Sequence, residues 1–254
     1  MPYKINKKEK FYYGFSLIIS LILYYVLFKN SDFSTFSTLL IPSAIYTVIF
    51  VFFSQVILVG HLRGNAVEVT KDQFPEIYQI ANKQSLALKL KKTPKIYLLQ
   101  GGGILNAFAT KFLSNNYVII YSDIFEMTYD EGIEAVEFVI AHELGHIKRR
   151  HVGLFNTLIL LPSYIIPFLY FAHSRAKEYT CDNIGCFLSP EGAAKGILIL
   201  ASGKKLYKKI DEQSYIKNYD KSTGFVTWFA EIFSTHPHLV KRLKNISKIN
   251  KDSH

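Results

Sequence analysis

The sequence predicts an α+β fold, mostly helical with a small β-sheet, anchored by two N-terminal transmembrane helices. Three observations carry this prediction. Two long uncharged apolar runs open the chain, two short segments rich in β-branched and aromatic residues follow, and much of the remainder repeats apolar residues at helical spacing. The 254 residues hold one sizeable domain beside its anchors. The expected division is residues 1–60 for the N-terminus and two spans, and 61–254 for the folded domain.

The first apolar run is Phe11 to Phe28 and the second is Leu39 to Gly60, each without a charged side chain. Uncharged stretches of about 18 or more residues match the hydrocarbon thickness of a bilayer. A cleavable signal peptide fits the first run poorly, because its apolar stretch exceeds the usual ~7–15 residues and no small-x-small site follows. Lys4, Lys7, Lys8 and Lys10 precede the first run, while the short loop between the runs carries only Lys29 and Asp32. Positive flanks stay in the cytoplasm, so the N-terminus and everything after the second run are expected there. Half the chain (49%) is hydrophobic, and the mean hydropathy is +0.13.

The formal net charge is +10. No aromatic-basic recognition element accompanies it, so nucleic acid is not an expected partner. A basic face beside anionic lipid headgroups accounts for the excess. Cys181 and Cys186 are the only cysteines, and their spacing within a helix does not suit a disulfide; two small buried side chains in a reducing compartment are expected.

Asp72 and Pro75 open a helix expected to run to about Lys91, with proline in the first turn where its missing N–H costs nothing. Lys95–Gln100 and Asn116–Ser122 read as strands. Between them, Gly101-Gly102-Gly103 reads as a flexible turn, since no Lys-Ser/Thr follows to make a phosphate loop. Thr128-Tyr129-Asp130-Glu131 has the form of a capping box. It should start a helix with Ile133, Val136, Val139 and Ile140 on one face, ending near the basic Lys148-Arg149-Arg150. Further helices are expected over Ser174 to about Phe187 and Ser189 to about Ser202. Residues 204–222 read as a surface loop or frayed helix, and Lys241 to Ile249 as a basic helix facing either water or anionic lipid. His61, His151 and His173 have no sequence partner and are expected at the surface or an interface.

Chemistry concentrates in His142-Glu143-Leu144-Gly145-His146. Two histidines four residues apart share one helix face and can reach one tetrahedral ion. Glu143, displaced around the helix, can take a proton from a water activated by that ion. The pattern sits inside the apolar run VEFVIAHELGHI, where an unpaired carboxylate would be costly without a metal or partner. One Zn2+ per chain is the expected cofactor. A third protein ligand is needed, and Glu178 is the best candidate. Asp182, one turn on, would accept an N–H from a ligating histidine and fix its tautomer.

Taken in order, Asn106-Ala107-Phe108-Ala109-Thr110, HELGH at 142–146, SRAKEYTCD at 174–182, and Ser234-Thr235-His236-Pro237 with Arg242 resemble the HtpX and CAAX-prenyl-endopeptidase superfamily of integral-membrane zinc metalloproteases. The likeness spans roughly residues 60–245. It implies a zincin-like domain hydrolysing peptide bonds, with zinc on His142, His146 and Glu178 and Glu143 as base. It also implies that Asn106, Ala107 and Phe108 line the substrate cleft, and that His236 and Arg242 sit near the ion, His236 supporting the oxyanion. The implied setting is the bacterial inner membrane or an equivalent membrane, with the catalytic domain cytoplasmic. Substrates would be membrane-associated or misfolded proteins, or precursor peptides. Prenylated-protein cleavage is less expected, since it is associated with a larger multi-span chamber. The oligomeric state stays open.

One departure is informative. HtpX-like enzymes resemble four-span proteins, with two spans between the HExxH helix and the third ligand, whereas here a single apolar block, residues 152–172, lies between them. One crossing would put Glu178 on the opposite membrane face from His142 and His146, and two crossings of ten residues each are too short. The block is therefore expected to be a non-crossing hairpin, broken near Pro162 or Pro167, or an interfacial segment. The rival from another class is a non-catalytic membrane scaffold or binding module stabilised by zinc, against which the intact Glu143 argues.

Overall fold

The computed structural model describes residues 3–130 and 132–252. The chain is mostly helical around one small sheet, with two long apolar helices at its N-terminal end. α1 (Lys7–Asn30) starts at Asn6, whose side chain accepts a hydrogen bond from the Lys8 N–H. A short turn α2 (Phe33–Thr35) and one π turn (Phe36–Leu40) lead without a break into α3 (Ile41–Asn65). Lys7–Asn30 and Phe33–Asn65 are each long and apolar enough to cross a bilayer, and nearly all their side chains face outward.

The sheet has four strands in the order β1-β2-β4-β3. β1 (Val67–Glu68) pairs antiparallel with β2 (Lys95–Leu99), β2 runs parallel to β4 (Asn115–Tyr121), and β3 (Ala107–Phe112) pairs antiparallel with β4. β3 therefore lies at the free edge. β2 and β4 fall where expected. β1 and β3 are additions, because β3 mixes small and polar residues and its two-residue connection to β4 is Leu113-Ser114, with Leu113 at φ 52 instead of the usual glycine.

α4 (Pro75–Ala87) is shorter than expected: Lys89 turns left-handed at φ 53 and ends the helix well before Pro94. α5 (Ser122–Asp130) occupies the segment assigned to a capping box, of which Glu131 lies outside the described residues. The chain then breaks at Gly132, φ 98, and α6 (Glu134–Lys148) begins afresh, so Thr128 does not start it. α6 is the hub. Ten of its residues are buried, including Val136, Phe138, Ile140 and Leu144, which is why its sequence is apolar on nearly every side.

The apolar block at 152–172 folds as α7 (Leu154–Leu160), a 3-10 turn (Leu161–Ile165) containing Pro162, and the start of α8 (Pro167–Leu188). It packs along α1: the Ser163 N–H donates to Ser20 Oγ at 3.2 Å, and Tyr24 donates to the Leu158 carbonyl at 2.7 Å. α8 thus starts seven residues before the expected Ser174. α9 (Pro190–Ser202) meets the head of α6 through Gly192, where any Cβ would overlap the Glu134 carbonyl oxygen. Over 204–222, expected as a surface loop or a frayed helix, the chain forms a 3-10 turn (Tyr207–Lys209) and the helix α10 (Glu212–Ser222), which Asp211 caps. α11 (Phe225–Ile232) was not foreseen, and α12 (Leu239–Asp252) closes the chain against α8 and α9.

The N-terminal segment is part of the folded body. Tyr3 joins the main core, the Lys4 carbonyl accepts from Asn183 Nδ2 at 2.7 Å, and the Asn6 N–H donates to Thr180 Oγ1 at 3.1 Å.

Candidate metal centre

α6 and α8 pack closely because glycine stands at their contact. A Cβ on Gly145 would lie 3.3 Å from both Cα and Sγ of Cys181 and from Ile184 Cδ1. This seating brings His142, His146 and Glu178 to one point. The two Nε2 atoms are 3.3 Å apart, and the Glu178 oxygens lie 3.4 Å from His142 Nε2 and 3.4 Å from His146 Nε2. A tetrahedral ion with bonds of roughly 2.0–2.1 Å has ligand-to-ligand edges of about 3.4 Å. The three side chains therefore fit a small tetrahedral cation as they stand. Glu143 is buried on the same turn of α6.

Both histidines turn Nε2 toward Glu178 because Nδ1 is engaged elsewhere. His142 Nδ1 is 3.0 Å from Asp182 Oδ1, and Asp182 is gripped by Arg242 through Nε (2.8 Å) and Nη2 (2.6 Å). This fork of charge-assisted bonds is fully buried. Arg242 Nη1 also comes to 3.7 Å of Glu178.

His146 has a different brace. Its Nδ1 is 3.1 Å from His151 Nδ1, and His151 Nε2 is 3.2 Å from Glu9 Oε1 in α1. Glu9 also accepts from Arg149 at 3.1 and 2.9 Å. With an ion present one tautomer assignment would satisfy the row: His151 Nε2–H donates to Glu9, His146 Nδ1–H donates to His151 Nδ1, and the His146 Nε2 lone pair is kept for the ion. Of the two places expected for His151, the surface or an interface, the surface is excluded: its side chain is 6% exposed and lies against Glu9 of α1. His173 is buried too, its ring 5.9 Å from that of Tyr13.

The electrostatics favour a cation. Burial raises the Glu178 carboxyl, yet the hydrogen bonds from His142 and His146 outweigh it and hold Glu178 ionised well below the usual range. Asp182 is likewise ionised against its burial by the charge of Arg242. Burial opposes a charge on His142, but Asp182 and Glu178 lift its pKa to about 10. A site that holds a proton this firmly has negative potential to offer a metal. Burial takes His151 down to about 4, which keeps it neutral.

A second donor set exists. The ligand atoms of His142, His146 and Cys181 lie within 4.8 Å of one another. The Cys181 thiol, however, is driven well above its usual pKa by burial and by Glu178 and Glu143, whereas Glu178 is already ionised.

The remaining predicted residues lie around this point. His236 is mostly exposed with Nε2 3.7 Å from Glu178 Oε1, and its Nδ1 is 2.9 Å from Thr235 Oγ1. Asn106 precedes β3, its carbonyl accepting from the Tyr121 N–H at 3.0 Å. Ala107 and Phe108 begin that edge strand, which packs on α6. Glu9, Arg149 and His151 are the residues that sequence reasoning missed.

The description "Peptidase family M48" belongs to a family model that matches residues 71–162 and 153–250, a range holding every motif from Asn106 to Arg242. The chain belongs to peptidase family M48. It is an HtpX-like member. A protease HtpX homolog of Dictyoglomus turgidum is 26% identical over 70% of this chain and 71% of its own length. Homologs from Streptococcus uberis (23%, covering 87% and 88%) and Helicobacter pylori strain Shi470 (25%, covering 87% and 84%) match over more of the chain. Among solved structures, that of S. mikatae Ste24p is similar with a TM-score of 0.48 and 13% identity, over 92% of this chain and 66% of that one. M48 membership makes this a metal-dependent peptidase acting on proteins or peptides, and the two apolar helices fit membrane association.

Proposed function

We propose that this M48 peptidase is a membrane-anchored zinc endopeptidase, with His142, His146 and Glu178 holding one Zn2+. The observation that carries this reading is the convergence of the three side chains: the two Nε2 atoms are 3.3 Å apart, and each lies 3.4 Å from one oxygen of the Glu178 carboxylate, His142 from Oε2 and His146 from Oε1. When bound, zinc supplies Lewis acidity toward a substrate carbonyl and water. Glu143 takes the proton from the attacking water and delivers it to the leaving amine nitrogen. His236, beside the ligand cluster, donates to the developing oxyanion. Asp182 fixes the His142 tautomer, and Arg242 keeps Asp182 charged. An extended substrate strand adds to the free edge at β3, next to Asn106, Ala107 and Phe108.

The lysines before α1 favour a cytoplasmic site, and the anchors favour proteins in or at the membrane as substrates, for quality control or precursor maturation. The test measures casein or membrane-protein cleavage and metal content together, for wild type and Glu143→Gln. Turnover should fall about 100- to 10,000-fold with zinc retained. Equal zinc and equal background cleavage in both proteins would instead leave a metal-stabilised scaffold.

A further inference from the structure

α11 is oriented the wrong way for a helix in water. Between Gly224 and Phe233 the only charged side chain is Glu231, and it is turned inward, 9% exposed and paired with Lys241. The carbonyl end of the helix is tied down by Arg175 of α8, which donates to Glu231 O, Ile232 O and Ser234 O at 2.7, 3.0 and 2.8 Å. The outer face shows Phe225, Val226, Trp228 and Phe229, with Val226 79% and Trp228 56% exposed. A surface helix normally presents the opposite face, and a large exposed apolar patch marks a contact.

The patch continues into the membrane anchor. Phe229 meets Phe233 edge-on (centroids 5.1 Å), and Phe233 meets Phe168 edge-on (5.2 Å) at the start of α8. Phe168 follows the turn after α7, where Ile165 is 79% exposed. That turn leans on α1 at Ser20. Ser20 is nine residues past Phe11, where the uncharged run of α1 begins. At ~1.5 Å per residue this is about 14 Å, near the middle of a ~30 Å hydrocarbon layer. The α7 turn thus reaches the depth of hydrocarbon without crossing, and α11 lies on the same apolar surface nearer the metal centre.

We propose that α11 and the α7 turn together form a wedge inserted into one leaflet of the bilayer, the partner being lipid acyl chains. The proposal rests on the membrane-anchored reading above. Because α11 runs directly into Ser234, Thr235 and His236, the wedge holds this rim of the site at the bilayer surface. Polypeptide emerging from the leaflet then meets the metal centre first.

Trp228 is the only tryptophan in the chain, so its emission reports on α11 without any substitution. The full chain is reconstituted into phosphatidylcholine–phosphatidylglycerol vesicles, plain or with acyl chains brominated near the headgroup or near the terminal methyl. The wedge predicts that shallow bromines at least halve Trp228 emission, deep bromines quench less, and aqueous iodide has little effect. A Trp228→Phe, Ile165→Trp chain moves the probe to the α7 turn, where deep bromines should quench more than they do at Trp228. Strong iodide quenching of Trp228 in protein that floats with the vesicles overturns the wedge and leaves the anchors intact. Indifference of Trp228 to both quenchers also overturns it, the face being covered by protein. Failure to float with the vesicles removes the anchored reading and the wedge together.

Discussion

The two histidines of the candidate metal centre sit four residues apart on one helix, yet they are braced from opposite directions. His142 leans on Asp182, which is locked by the bidentate Arg242 deep inside the body. His146 leans on His151 and, through it, on Glu9 at the head of the first apolar helix. The first brace is charged, short and fully buried. The second is a neutral imidazole relayed to a carboxylate that Arg149, a quarter exposed, also holds. The difference separates the rigidity of His142, built within the peptidase body, from that of His146, borrowed from the first apolar helix.

Asp182→Asn should break the stronger brace and have the largest effect. It removes the charge that satisfies a buried guanidinium, so unfolding stability in detergent should drop by about 3–5 kcal/mol. Zinc affinity by chelator competition should fall up to about 100-fold. His151→Phe keeps the ring volume but removes the hydrogen bonds to His146 and Glu9; zinc affinity should fall about tenfold with little change in helix content by circular dichroism. Glu9→Gln should cost less than this alone, and in the His151→Phe background its cost should shrink to within ~0.5 kcal/mol of nothing, because Glu9 acts through His151. Additive losses in that cycle would mean that Glu9 serves the fold and not His146. Arg149→Met should matter least, under about 1 kcal/mol, with zinc affinity unchanged, since its side-chain hydrogen bonds go to Glu9 and not to a histidine. A loss equal to that of Glu9→Gln would show the relay to be a surface ion pair.

How far each part could be read in the sequence follows from how local it is. The two apolar helices and the strands at 95–99 and 115–121 carry their signal in consecutive residues, and the structure has them there. His142 with His146, and Glu178 with Asp182, announce themselves by helical spacing, and the fold brings both pairs together. β3 escaped notice because Ala, Thr and Lys interrupt its apolar residues and a left-handed Leu113 makes its turn. The head of α6 was misplaced because Gly132 breaks a helix that the residues before it would continue. The Glu9–His151 contact joins residues 142 positions apart, which no local pattern encodes. α11 was passed over because eight residues of mixed aromatic and aliphatic type look the same in a core, a strand or a lipid face.

The docking of residues 3–9 sets the order in which this protein can be made. These residues leave the ribosome long before their partners: Asn6 waits 174 residues for Thr180, and Lys4 waits 179 for Asn183. At roughly 5–20 residues per second that delay is on the order of ten to thirty-five seconds. During it both apolar helices can be delivered to the membrane while the segment ahead of them stays unpaired. The peptidase body then closes over a strand of chain already fixed at the bilayer, so the site acquires its full support only after the anchor is in place.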